Sequence, residues 1–140
     1  MIALSNLIRA LARADWDAAD ALVIKIDRDG WAGGLQVIGA AFALAVNEHF
    51  GANATPTDVA AFVSMIRAAY QKLDCLPALE MEHLIQAALG EPELADPIAA
   101  VDMLGIEIFV LGHLLPLAHL TPAELDEFVA EAEQLAAEYM

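Results

Sequence analysis

The sequence predicts an all-α protein: a single-domain bundle of about seven helices around a central apolar helix at 97–115. Three observations carry this prediction. Apolar residues recur at helical spacing along nearly the whole chain, and no pair of stretches reads as two partnered strands. Cap residues and prolines mark the helix starts. The stretch PIAAVDMLGIEIFVLGHLL, from Pro97 to Leu115, is apolar on nearly every side, as expected of a helix enclosed by other helices.

The elements follow in order. Ile2–Ala14 is an amphipathic helix with Ile2, Leu4, Leu7, Ile8 and Leu11 on its apolar side. It lacks a basic segment followed by a continuous apolar run, so it is a poor secretory signal. Asp15 caps a second helix, Trp16–Ile26, where Asp17 and Asp20 suit the positive helix start. IDRDG is a turn. Trp31–Phe50 is a long apolar helix, and Gly51–Ala54 a loop. Thr55 is an N-cap, Pro56 the first helical position and Asp58 an acid in the first turn of a helix to Leu73. Pro77–Leu89 is a shorter helix closed by Gly90, and GEPELAD is a loop. Asp96 is the expected N-cap of the central helix, which should stop near Leu115 because Pro116 cannot donate to residue 112. Thr121-Pro122-Ala123-Glu124 is a capping box. It opens a last helix with Leu125, Phe128, Val129, Ala132, Leu135, Ala136 and Tyr139 on one face. The predicted core is Leu35, Ile38, Phe42, Leu44, Val46, Phe62, Ile66, Ile106, Phe109, Val110, Leu114, Phe128 and Leu135.

TPTDVAAFV at 55 and TPAELDEFV at 121 are offset by 66 residues, as are Gly39 and Gly105. Residues 12–74 and 78–140 would then be two pseudo-repeated three-helix units. The competing reading is that Thr-Pro-x-acid is simply a common helix start.

Charge limits the partners. The chain has 21 acids and 6 bases, a formal net charge of −15. Residues 1–72 hold all six bases and seven acids (−1); residues 73–140 hold fourteen acids and no base (−14). Such a surface repels phosphate backbones, which disfavours nucleic acid, and repels anionic membrane. A basic protein partner or plain solubility would account for it. The ionisable residues Asp102, Glu107, His113 and His119, and the helix-interrupting Pro116, argue against a membrane span at 97–120. Cys75 is the only cysteine, so no intramolecular disulfide forms, and a cytoplasmic setting fits.

Few motifs point to chemistry. Asp27-Arg28-Asp29-Gly30 resembles part of a calcium loop, but Lys25 and Gln36 stand where its first and last carboxylates belong. The glycines at 30, 33 and 34 lack dinucleotide spacing. Glu80 and His83 form a Glu-x-x-His pair, the unit of carboxylate-bridged metal bundles, but without the second pair such sites need. Asp102 and His113 lie on one face of the central helix about three turns apart, with Glu107 nearly opposite. Together they could line a polar pocket, or each could find an ordinary hydrogen bond at the rim of the core. Ser5, Ser64 and Cys75 lack the settings of nucleophiles.

Two functions follow as expectations. The first is an acidic, non-enzymatic interaction protein, homodimeric through its N-terminal helix. The second is a helical bundle that binds a small molecule through Asp102, Glu107 and His113, or a metal through Glu80 and His83. No cofactor is implied.

Overall fold

In the computed structural model, residues 2–31, 34–51, 53–69 and 78–138 are described. Among them, seven α-helices follow in order: α1 (Ile2–Ala12), α2 (Trp16–Asp29), α3 (Gly34–Phe50), α4 (Pro56–Ala69), α5 (Ala78–Ala88), α6 (Ala100–Ala118) and α7 (Pro122–Glu138). A 3-10 turn, Pro92–Ala95, precedes α6. Lys72, Cys75 and Tyr139, and the expected ends of two helices at Leu73 and Pro77, lie outside the described residues.

The caps form as their residue types dictate. The Asp15 side chain accepts from the Ala18 N–H at 3.2 Å. Thr55 and Asp58 close a reciprocal box at the start of α4, with bonds of 2.9 and 3.2 Å. Thr121 and Glu124 do the same for α7 at 2.9 and 3.1 Å. Each box satisfies backbone N–H groups that the first helical turn leaves without partners.

The centre of the bundle is a pair of helices. α3 packs along α6. α7 covers α3, and α1 covers α6. The two covering helices meet, and Arg9 of α1 forms an ion pair with Asp126 of α7. α4 packs on α5, and α5 touches both α3 and α6. Ile38, Ala41, Phe42 and Val46 of α3 meet Ile106, Val110, Leu111 and Leu114 of α6 in one continuous buried cluster. Asn47 ties α3 to the end of α5 by donating to the carbonyls of Ala43 (2.8 Å) and Ala88 (3.1 Å).

α2 packs on α1, and its first residue ties it to α6. Trp16 lays its ring against α6, with centroids 6.4 Å from Phe109 and 5.6 Å from His113. Gly112 makes room for it. A Cβ there would overlap the far edge of the ring, standing 2.7 Å from Cζ2.

Several expectations change. The apolar side of α1 is not free for a dimer: Leu4, Leu7, Ile8 and Leu11 are buried within their own chain, because α1 is the helix that covers α6. The central helix starts at Ala100, not at Pro97. The Asp96 N–H donates to Glu93 (3.2 Å) and the Ile98 N–H to Ala95 (3.0 Å). The chain thus winds as tight turns until Met103 donates to Ala99 at 2.9 Å. The cap position falls to Ala99, which supplies no side-chain bond. Nor does Pro116 end the helix, which continues to Ala118. The proline removes one bond in the final turn, and His119 closes the end in the left-handed conformation with φ 50°. Leu35 is 45% exposed rather than in the core. It lies beside exposed Gln36 on the outer side of the first turn of α3. Leu44 and Leu135 are half-buried; the other predicted core residues are buried.

The 66-residue offset recurs in the helix starts. Gly34 and Ala100 open α3 and α6, and Pro56 and Pro122 open α4 and α7. The packing does not follow it: α7 lies on α3, whereas α4 lies on α5.

Two glycine substitutions test this geometry with opposite outcomes. Gly112→Ala is expected to cost about 1–3 kcal/mol, the range for overpacking a filled site, and to red-shift tryptophan emission as the Trp16 ring is pushed outward. In Gly39→Ala the new Cβ would meet only the Glu107 Oε2, at 3.5 Å. That variant should be neutral, or gain up to about 1 kcal/mol from helix propensity. Urea midpoints with emission spectra check both. An unshifted, fully stable Gly112→Ala variant would contradict the placement of Trp16.

Candidate functional site

The residues singled out by sequence divide between different neighbourhoods. Asp102 is exposed on the first turn of α6, where a carboxylate interacts favourably with the helix start. Five residues on, Glu107 is only 9% exposed. It faces α3, with its carboxyl beside Gly39. His113 is half-buried on the side of α6 that receives α2. Its ring lies 4.6 Å from that of Phe109 and 5.6 Å from that of Trp16. Asp102 and His113 therefore share a helix face, as their spacing requires, but Glu107 faces a different helix from His113.

His113 Nδ1 lies 2.8 Å from the Phe109 carbonyl oxygen, which can only accept, so this nitrogen carries the proton. Burial lowers the His113 pKa, and the bond to Phe109 opposes part of that shift. Burial thus disfavours the charged ring, and the ring packs against Trp16.

Glu107 is the strongly perturbed group. Burial raises its pKa from 4.5 to about 7, because an ionised carboxylate loses its solvation there. A carboxyl of this kind, neutral or charged according to small changes in pH, can serve in proton transfer when a substrate reaches it. Its surroundings here are the packed face between α3 and α6.

Glu80 and His83 stand one turn apart on α5, both half-buried. Glu80 Oε2 is buried with no hydrogen-bond partner among the described residues, and the same holds for Arg67 Nε on α4. Among the described residues, no three His, Cys, Asp or Glu side chains converge as a metal site. No described helix is long and apolar enough to cross a membrane.

A concavity lies where α3 and α6 end. A cleft of about 330 Å³ is lined by Ala45, Leu114, Leu115, Leu117, Ala118 and Leu120, with Glu48 and His49 as its polar members. The His49 ring is fixed by an edge contact with Phe50 at 4.9 Å and a tilted one with Phe62 of α4 at 5.3 Å. Sequence reasoning did not single out Glu48 or His49 as site residues. The available signal was their position, as the polar residues closing the long apolar run of α3.

No family model, curated protein or solved structure matches this chain.

Glu107 makes stability depend on pH with a definite sign. Its folded pKa of about 7 lies above its ordinary value of 4.5, so the folded state holds the proton more tightly. Stability from this group is complete below about pH 4.5, falls as pH rises to about 7, and stays low above that. The full difference is about 3 kcal/mol at 1.36 kcal/mol per pH unit. Glu107→Gln should therefore be more stable than wild type at pH 8 by up to about 3 kcal/mol, and close to it at pH 5. Denaturant titrations at the two pH values check this. An equal effect at both would show that Glu107 ionises freely.

Proposed function

We propose that the protein is a non-enzymatic, acidic interaction module that self-associates through the outer face of α4. The observation that carries this reading is an uncharged exposed strip on α4 between Asp58 and Arg67. Ala61, Ser64, Met65 and Ala68 are exposed at helical spacing, and Met65 is 55% accessible. On α5, the helix α4 packs against, Leu79 is 62% accessible.

Two chains of net charge −15 repel each other, so a lasting contact must avoid the acids. The exposed side of α7 carries Glu124, Glu127, Glu131, Glu133 and Glu138. The exposed side of α2 carries Asp17, Asp20, Asp27 and Asp29. α4 has no charged residue between Asp58 and Arg67, and its small side chains permit close approach of a second helix. A basic partner would meet α7 instead, with the acids left in water by self-association. The single cysteine fits a reducing, cytoplasmic setting.

Sedimentation velocity tests the proposal. The wild type should be a dimer at about 50 µM, and should strengthen with added salt as the net repulsion is screened. Met65→Glu should yield a monomer with unchanged helical circular dichroism. A wild-type monomer at both low and high salt would overturn the reading. A dimer that persists in folded Met65→Glu would remove α4 as its interface.

A further inference from the structure

We propose that the cleft between the C-terminal ends of α3 and α6 is a binding site for an organic cation: a protonated amine on a compact apolar body. The site is separate from the α4 face and does not rest on self-association.

The size comes first. At about 330 Å³, the cleft falls at the small end of ligand-binding cavities, about 300–1,000 Å³. It would take a ring or a short branched chain. The chemistry of the wall is next. Leu114 and Leu115 form part of the buried core, whereas Leu117 is 50% exposed. The wall is thus continuous with the core at one side and left in water at the other. An apolar body seated there would cover Leu117 and gain by its desolvation.

The sign of the charge is set by three features. Glu48 supplies a carboxylate among the lining residues. Both helices end at the cleft, α3 at Phe50 and α6 at Ala118, and helix C-termini present carbonyl oxygens and the negative ends of their dipoles. Neither α3 nor α6 contains a lysine or arginine. These features favour a cation and disfavour an anion of the same shape. A bare metal ion fits poorly, because one carboxylate and one imidazole, Glu48 and His49, amid leucines offer too few ligands. The ammonium group would lie toward Glu48, with the apolar body on Leu117.

Nitrogen-15-edited NMR with three probes of one shape tests this: cyclohexylmethylammonium, cyclohexylmethanol and cyclohexanecarboxylate. The amine should produce saturable shifts confined to residues 45–49 and 114–120. The alcohol should bind several-fold more weakly and the carboxylate not at all. Glu48→Gln should weaken the amine several-fold, bringing it near the alcohol. Leu117→Arg should abolish binding, since it places a cation on the apolar wall. Both altered side chains are exposed or half-exposed, and unchanged spectra elsewhere verify the fold. The proposal is overturned by no saturable shift at the cleft below about 10 mM amine. It is equally overturned if alcohol and amine bind alike, or if the shifts spread along the acids of α7.

Discussion

The close packing of α3 against α6 is the contact on which the other helices depend. Each of the two is too apolar to stand in water, and each leaves a further side to be covered. α7 covers α3, and α1 covers α6. The covering helices are amphipathic, so the apolar burial that stabilises the fold ends at their polar outer faces. The ion pair of Arg9 with Asp126 joins them at the surface, where such a pair contributes at most about 1 kcal/mol. The large term is the buried cluster beneath.

Two close approaches shape this arrangement. The Glu107 carboxyl lies against α3 beside Gly39, and Gly112 lets an indole lie against α6. The first places a group of raised pKa inside the bundle; the second ties α2, which otherwise packs on α1, to the central pair. α2 buries only Ala19 and Ile26, so its orientation rests largely on α1 and on Trp16. Net charge then restricts the surface. With acids exposed on α2 and α7, the places where another molecule could lie without meeting like charge are few. The α4 face suits an uncharged surface of a second copy, and the cleft suits a positive ligand.

Much of the fold was legible because its signals are local. Asp15, Thr55 and Thr121 announce helix starts by the bonds their side chains make to nearby backbone. The stripe Leu125, Phe128, Val129 and Ala132 identifies the buried side of α7 by period alone. What was not legible depends on neighbours distant in sequence. The apolar side of α1 looks the same whether it meets its own chain or a partner. Leu35 resembles any core leucine until it is found beside Gln36 on the exposed side of α3. Asp96 is a good cap by type, yet consecutive turns at 93–98 take up the backbone first. The site residues follow the same division. The spacing of Asp102 and His113 fixed their common face, and Glu107 could be placed on another. That Glu107 meets Gly39, that His113 packs against Trp16, and that Glu48 and His49 border a cleft are facts of tertiary contact.

Native-state hydrogen exchange tests the central claim most directly. If the α3–α6 pair organises the fold, backbone amides of Val37–Val46 and Ile106–Leu115 should open only with global unfolding. Amides of α4, which packs mainly on α5, should exchange through smaller openings at lower free energy. Protection in α4 equal to or above that of α3 and α6 would contradict the account.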